Sequence, residues 1–218
     1  MAGDVKSKVL HAAAEMFLAK GYQASTVREI AKAADVNLGS LTFAFGNKEQ
    51  ILCELVAYVL EGQFSATKKL LQGKTDDKIL FYAAETTLQL HMAESYEHIR
   101  EMYNVSYSLP RSAQVIFHTI TGKLQNIFGG HLPSLETKDF FELEIASAGI
   151  MRNFLSVPCD MYFTMERKVA RFLETTFLVY RVPEEKIKEA IAFVAQFDFV
   201  KIAGEVIDSM LSYLKSKI

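Results

Sequence analysis

Residues 26–45 hold two short amphipathic segments separated by a tight turn. The first starts at Thr26, and Glu29 follows three residues later, which is the spacing of a capping box at a helix start. Apolar residues then recur at helical intervals, and the polar turn 35–37 interrupts them. A second segment with helical spacing covers about 38–45. Two short helices joined by such a turn form a helix-turn-helix, so the sequence predicts this motif near the N-terminus.

The rest of the chain also favours helices. Only 4 proline and 11 glycine residues interrupt 218 residues, and half of the residues are hydrophobic. A helix start is predicted at Thr75, where Asp76 and Asp77 would lie at the positive end of the helix dipole. No strand pattern is present, so we predict an all-α fold. Its two parts are a three-helix helix-turn-helix domain over 1–47 and a helical domain over 48–218. The apolar spacing predicts helices over about 6–20, 48–71, 75–96, 112–128, 137–156, 164–181 and 184–216, with a short helical stretch to about 107 and a bend near 196–198.

Charge and cysteine content constrain the compartment and the partners. The net charge is −2, and residues 1–50 carry six Lys/Arg against five Asp/Glu, so bulk charge does not indicate nucleic-acid binding. Any DNA binding would depend on where the charges are placed.

No apolar run approaches the roughly 18 residues of a membrane span, and no signal-peptide pattern is present. Cys53 and Cys159 lack metal-ligand spacing and are expected to be free thiols, which fits a cytoplasmic protein.

The stretch 5–52 resembles the DNA-binding domain of the TetR family of transcriptional regulators. The resemblance implies a homodimeric, non-enzymatic regulator without a cofactor, which binds a palindromic double-stranded DNA operator and responds to a small-molecule effector. Repression is the expected mode, although the sequence leaves activation open. The matching segments are Gly21-Tyr22, Ala24-Ser25-Thr26-Val27-Arg28-Glu29-Ile30-Ala31, Gly39-Ser40-Leu41 and Phe45-Gly46-Asn47-Lys48-Glu49.

The resemblance identifies the second short helix as the recognition helix, whose N-terminal residues face base edges in the major groove. Gly39 would allow close approach of the backbone, and Thr42 could meet a thymine methyl group. Lys48, at the start of the long helix, is the best-placed cation for a phosphate. The predicted DNA-contact residues are Thr26, Arg28, Asn37, Leu38, Gly39, Ser40, Thr42, Phe43 and Lys48.

Two positions depart from the family pattern. The family usually has tyrosine at position 42 and often histidine or tyrosine at position 44, where this chain has Thr42 and Ala44. The smaller side chains remove contacts to the DNA backbone. The alternative is therefore a ligand-binding relative whose DNA binding is weakened or lost.

The helical domain is expected to bind the effector and to dimerise through its later helices. Aromatic and methionine side chains with a few hydroxyl groups suit a hydrophobic or amphipathic small molecule. Tyr103, Tyr107 and His118 are the preferred polar contacts. Each of these residues could equally belong to an ordinary core. The predicted ligand-binding residues are Phe64, Met92, Tyr103, Tyr107, Phe117, His118 and Met151.

Four residues with metal-ligating side chains follow one another at helical spacing, namely His91, Glu94, His98 and Glu101. If they share one helical face, they could bind a metal ion, as in a helical enzyme or metal carrier. They could equally be solvated surface residues. Because no nucleophile–base pair and no phosphate-binding loop accompanies them, we predict neither a metal site nor an enzyme.

Overall fold

A computed structural model describes residues 2–216 of the protein. Within these residues the chain forms eleven helices and no strand, which confirms the all-α prediction. The helices are α1 (Ala2–Lys20), α2 (Val27–Ala33), α3 (Leu38–Phe45), α4 (Lys48–Leu71), α5 (Lys78–Ser95), α6 (Glu97–Ser108), α7 (Pro110–Phe128), α8 (Thr137–Ser156), α9 (Met165–Val179), α10 (Glu184–Val194) and α11 (Phe199–Ser216).

Helices α1 to α3 form a small head whose local structure follows from its capping residues. The Thr26 side chain accepts a hydrogen bond from the Glu29 N–H, and the Glu29 carboxylate accepts one from the Thr26 N–H, so the predicted capping box is present. Asn37 caps α3 by accepting from the Ser40 N–H at 2.7 Å. Asn47 caps α4 in the same way. These caps fix where each short helix begins, and the helix-turn-helix prediction is confirmed.

The body of the protein is a helical bundle built around α5. This helix packs against α4, α6, α7, α8, α9, α10 and α11, and twelve of its residues are buried. A helix that is apolar or small around most of its circumference has to be enclosed on all sides. Because of its central position, α5 contributes residues to the walls of the interior cavities.

Two hydrophobic clusters account for most of the buried apolar side chains. One fills the body, and the other fills the head and continues along α4 through Leu55 and Leu60 to Ile116 of α7 and Leu214 of α11. The head core therefore continues into the body along α4. The predicted domain boundary after residue 47 coincides with the turn between α3 and α4, but the apolar packing is not interrupted there.

Three helices begin at other residues than the sequence predicts, and one of them is α1, which begins at Ala2 rather than near residue 6. The N-cap of α5 is Asp77, which accepts from the N–H groups of Ile79 and Leu80, whereas the Thr75 hydroxyl accepts from the Asp77 N–H in the preceding turn. Helix α7 begins earlier than predicted, at Pro110, because proline fits the first turn, where its missing N–H has no helical partner. The bend predicted near 196–198 is confirmed, and it divides the predicted helix over 184–216 into α10 and α11. Within residues 2–216 no helix has both the length and the hydropathy that crossing a membrane requires.

Candidate nucleic-acid interface and ligand cavity

Helix α3 has one buried face and one exposed face. Leu41 and Phe45 are buried in the head core, whereas Leu38 is 40% exposed and Phe43 is 93% exposed. Gly39 and Thr42 share the exposed face. An almost fully exposed phenylalanine on a helix costs solvation free energy without contributing to the core. The exposed face of α3 therefore has the shape and composition of a contact surface.

The start of α2 lies beside this face and contributes exposed polar groups. Thr26 and Arg28 are exposed. The carboxylate of Glu29 is bonded by Lys20 at 2.7 Å and by Thr26, and these hydrogen bonds lower the pKa of Glu29 to about 2. Among residues 2–216 no acidic side chain forms an ion pair with Arg28. Arg28 is thus available to an external anion.

Lys48 has a different environment from the one that the sequence suggested. Its ammonium group donates to the carbonyl oxygens of Tyr22 at 2.8 Å and Ser25 at 2.9 Å, and it lies 4.2 Å from the centre of the Tyr22 ring. Burial lowers the pKa of Lys48, and the carboxylate of Glu101 acts in the opposite direction. These contacts attach the start of α4 to the turn between α1 and α2. A phosphate contact by Lys48 remains a prediction, since one of its three donors is left for it.

Glu101 joins the head to the body, and Arg111 joins the start of α7 to the start of α4. Oε1 of Glu101, on α6, accepts a hydrogen bond of 2.8 Å from the Gln23 N–H. The Arg111 N–H, at the start of α7, donates to Glu49 of α4 at 2.9 Å. A Cβ atom at Gly21 would collide with the Glu101 carboxylate, and Gly21 also has a φ of +85°. Glycine at position 21 therefore both ends α1 and permits the close approach of α6.

A cavity of about 100 Å³ lies where the head joins the body. Almost all of its surface is apolar, and its walls come from both parts of the protein. Ala14 and Leu18 of α1 form one side, with residues of α4, and the body helices form the rest. The lining residues are Ala14, Leu18, Leu52, Leu55, Val56, Tyr58, Val59, Leu60, Gln89, Met92, Ile99, Met102, Tyr103, Ser106, Tyr107, Ile116, Ile207, Met210, Leu211 and Leu214.

A second, smaller cavity of about 30 Å³ adjoins the first. The two share Leu60, Gln89 and Tyr107 as lining residues. The smaller cavity is more polar, because Glu85 of α5 and Glu144 of α8 both border it. The larger cavity is thus apolar and lies near the head, and the smaller one is acidic and lies in the body.

Both glutamates are buried, with exposed fractions of 4% for Glu85 and 3% for Glu144. Burial raises the pKa of Glu85 to about 8, and the positive charge of Lys123 acts in the opposite direction. Burial also raises the pKa of Glu144 to about 8, although a hydrogen bond of 2.8 Å from the Ser147 hydroxyl favours its ionised form. The charge of Glu85 also raises the pKa of Glu144, and with both pKa values at about 8 the two carboxyl groups are largely protonated at neutral pH.

Five of the seven predicted ligand-binding residues border these cavities. Met92, Tyr103 and Tyr107 line the larger one, and Phe64 and Met151 line the smaller one. Hydrogen bonds fix two of the hydroxyl groups, because Gln63 Nε2 donates to the Tyr103 oxygen and Gln89 Nε2 donates to the Tyr107 oxygen at 3.1 Å.

Phe117 and His118 do not reach either cavity. The two rings pack against Phe141 of α8, with ring centres 6.3 Å and 5.5 Å apart, respectively. They lie on a different face of α7 from Ile116, which does line the larger cavity. The sequence showed that these residues are helical, but it could not show which face of α7 points inward. The preference for His118 as a polar contact is therefore corrected.

Sequence reasoning missed the two buried glutamates. A signal was present for Glu85, because its neighbours in the middle of α5 are almost all apolar or small, which favours burial of the whole segment. Glu144 gave a weaker signal. It lies between apolar neighbours in α8, whose outer face also carries exposed acids such as Glu142.

The four residues considered for a metal site belong to two helices. The chain is extended at Tyr96, so His91 and Glu94 lie on α5 while the other two lie on α6. The Glu94 carboxylate binds Lys168 at 2.8 Å and the Cys159 N–H at 2.9 Å, and the His91 ring stacks on Phe199. Within residues 2–216 no group of three or more such side chains is arranged to hold a metal ion.

Helices α8 and α9 present an outer face with apolar and small residues. Ile145 is 49% exposed and Leu178 is 69% exposed. Gly149 is also exposed, and a Cβ atom added there would meet nothing within 4 Å. The larger aromatic residues of these helices, such as Phe140 and Phe172, are buried in the body core instead. A second helical surface could approach this face closely.

Comparison with known proteins gives one family. Residues 9–55 match the family model for bacterial regulatory proteins of the tetR family. The probable HTH-type transcriptional regulator YttP of Bacillus subtilis (strain 168) is 24% identical over 168 residues, which is 76% of this chain and 74% of YttP. The HTH-type transcriptional repressor KstR2 of Mycobacterium tuberculosis is 32% identical over 101 residues, which is 43% of this chain and 50% of KstR2.

The fold of most of the chain is similar to that of a solved protein structure. The crystal structure of RolR in complex with the ligand resorcinol covers 90% of this chain, and 95% of RolR is matched, with a TM-score of 0.68. The sequences are 14% identical, so this similarity concerns the fold alone. It extends over the body helices, where the family model does not reach.

Proposed function

Since this chain belongs to the TetR family of bacterial transcriptional regulators, we propose that it is a homodimeric, ligand-responsive repressor. Two heads related by a two-fold axis would read the half-sites of a palindromic operator, and a small molecule in the body would release the DNA. The family consists of DNA-binding regulators rather than enzymes, and its members act where the chromosome is, so the proposed compartment is the cytoplasm. The comparison with the repressor KstR2 supports repression as the mode.

The exposed face of α3 and the start of α2 are proposed to bind DNA. The exposed residues Leu38, Gly39, Thr42 and Phe43 would enter the major groove. The apolar surface of Phe43 would contact thymine methyl groups or sugars, which offsets the absence of charge on α3. Arg28 would bind a phosphate from the neighbouring helix.

Dimerisation is proposed to use the outer face of α8 and α9. Ile145 and Leu178 would be covered by the same residues of a second copy, and Gly149 would allow close helix contact. Such an isologous contact is the usual arrangement of two-fold dimers. Ile145→Asp combined with Leu178→Asp would place two charges on each side of this contact and is expected to give a monomer in light scattering.

The observation that carries the coupling proposal is the composition of the larger cavity. Its walls include Ala14 and Leu18 of α1 together with Leu52, Leu55 and Val56 at the start of α4. A ligand that enlarges this cavity would displace the head relative to α6 and α7. Because two heads must match successive half-sites about 34–36 Å apart, a small rotation of each head lowers the affinity for the operator. A hundredfold release corresponds to about 2.7 kcal/mol of coupling.

The test is DNA binding across a salt series, followed by release. Fluorescence anisotropy with DNA from upstream of the gene should give tighter binding than a scrambled duplex, and the affinity should fall with salt. Filling the cavity by Ala14→Leu should mimic the ligand and weaken operator binding in the absence of any small molecule. Ala33→Leu, at an exposed position of α2, is the control. It tests whether a larger side chain elsewhere on the head is sufficient to weaken operator binding. Bound DNA fragments can also be selected from the whole genome. If this selection recovers no specific sequence, the result would support the alternative, in which Thr42 and Ala44 mark a head that has lost DNA binding.

A further inference from the structure

The smaller, acidic cavity is bordered by a buried polar atom that no residue in the described part of the chain satisfies. Glu85 is 4% exposed, and its Oε1 atom has no hydrogen-bond partner among residues 2–216. A buried carboxyl oxygen without a partner costs free energy that a ligand can recover. Glu144 borders the same cavity of about 30 Å³. The space therefore has two carboxyl groups directed at one small volume.

Among residues 2–216 no cationic side chain forms an ion pair with either carboxyl group. The positive charge of Lys123 acts on Glu85, but its ammonium group forms an ion pair with Glu61 at 3.0 Å and lies 4.1 Å from the centre of the Phe64 ring. The other polar groups near the two carboxyls are neutral, and they include the hydroxyls of Tyr82, Tyr107 and Tyr180, the last of which donates to Ser147. Two buried acids without an ion-pair partner form a site for one positive charge.

From this geometry we propose that the effector is an amphipathic amine whose ammonium group binds between Glu85 and Glu144. This inference rests on the proposed ligand-sensing function and specifies the chemical class of the ligand. The ammonium group would donate to Glu85 Oε1 and to the Glu144 carboxylate. Binding would draw a proton out of the pair, because the positive charge favours the ionised carboxylates.

The apolar part of the ligand would extend from the acidic cavity into the larger one. Leu60, Gln89 and Tyr107 border both cavities, and the hydrogen bond between Gln89 and Tyr107 lies at their boundary. The larger cavity has almost no polar surface, so it suits an alkyl chain or a single aromatic ring. The charged end would thus anchor the ligand in the body, while the apolar end would press on Leu18 and Leu52 at the head.

The test compares two probes that differ only in the charged end, octylamine and 1-octanol. Isothermal titration calorimetry at pH 7 with the full chain should give octylamine at least a tenfold lower Kd than 1-octanol. Octylamine binding should also release about one proton per site, measured as a difference in heat between phosphate and Tris buffers. The proton count uses the unaltered protein, so it does not depend on the folding of any variant.

Glutamine substitutions separate this site from surface charge. Glu85→Gln combined with Glu144→Gln keeps the side-chain volumes and should abolish both the preference for octylamine and the proton release. The matched control is Glu97→Gln combined with Glu142→Gln, which removes two exposed carboxylates from α6 and α8. This control should leave the preference for octylamine and the proton release unchanged.

Three results would overturn the inference. They are equal affinities for the two probes, binding of neither probe, and an amine preference that survives the double substitution at positions 85 and 144. None of these measurements involves DNA, so the operator-binding proposal can fail or stand independently. A protein that binds its operator but prefers 1-octanol would remain a regulator with a neutral ligand.

Discussion

The N–H group of Gln23 donates a hydrogen bond of 2.8 Å to Oε1 of Glu101, which ties the turn between α1 and α2 to α6 of the body. Gly21 provides the room for this contact, and Lys48 attaches the start of α4 to the same turn. Two body-side contacts therefore hold one turn of the head. Any movement of the head away from α6 has to break the bond to Glu101.

Glu101→Ala removes this attachment, and we expect the turn over 21–25 to open more often. The hydrogen bond is charge-assisted but partly exposed, so the expected loss in the free energy of unfolding is about 1 kcal/mol. Hydrogen exchange followed by mass spectrometry should show faster exchange of the amides in 21–25. Glu97→Ala, an exposed acid in the first turn of the same helix, should leave that exchange unchanged. Equal exchange in both variants would mean that Glu101 does not hold the head.

Phe43→Ala tests the exposed face of α3. Because Phe43 is 93% exposed, the substitution should change the free energy of unfolding by less than about 0.5 kcal/mol. Operator affinity should fall about tenfold, since the ring would lose its contact surface on the DNA. Leu41→Ala, at a fully buried position of the same helix, should instead cost about 2–5 kcal/mol of stability. An unchanged operator affinity in Phe43→Ala would remove this residue from the proposed interface.

Lys48→Met separates a structural role from a phosphate contact. Loss of the hydrogen bonds to the Tyr22 and Ser25 carbonyl oxygens should lower the free energy of unfolding by about 1–3 kcal/mol. The slope of log affinity against log salt should not change if the ammonium group serves only these carbonyls. A slope that becomes shallower by about 0.9 for each lost contact would instead identify Lys48 as a phosphate ligand. Lys32→Met, an exposed lysine on α2, is the control for stability.

The two buried glutamates predict a pH dependence of stability. Their pKa values are raised to about 8 in the folded protein, from the ordinary value of 4.5. Between these values the folded state holds protons that the unfolded state has released, so stability decreases as pH rises and levels off above about 8. Guanidinium denaturation should give a free energy of unfolding lower by a few kcal/mol, as an order of magnitude, at pH 8 than at pH 6.

The double variant Glu85→Gln with Glu144→Gln lacks both titrating groups and should lose most of this decrease. Glu142→Gln, which removes an exposed acid from α8, should retain it. The same decrease in wild type and in the double variant would show that other groups cause it.

Local interactions made much of the helix pattern predictable. The boundaries of α3 and α4 follow from Asn37, Asn47 and the turns beside them, because a cap satisfies backbone groups only a few residues away. The predicted first residue of α5 was wrong because two nearby residues can each cap a helix. Thr75 and Asp77 are both suitable N-cap residues, and in the structure Asp77 is the N-cap of α5.

The positions of side chains around each helix were less predictable. Met92, Tyr103 and Tyr107 were expected to line a cavity and do so, whereas Phe117 and His118 face Phe141 instead. Every face of an amphipathic helix in the middle of a bundle has a neighbour. Sequence periodicity therefore indicates which residues are buried but not which neighbour they meet.

The sequence alone determined the all-α class, the helix-turn-helix and the resemblance of this motif to the TetR family, because these depend on periodicity, capping and a contiguous motif. Only the tertiary structure decided that Glu85 and Glu144, 59 positions apart in the chain, border one cavity. It also decided that Lys48 donates hydrogen bonds to the turn between α1 and α2, and that residues of α1 line the larger cavity. The physical reason is that the burial of a charge, and hence its pKa and its need for a partner, depends on what the other helices place around it.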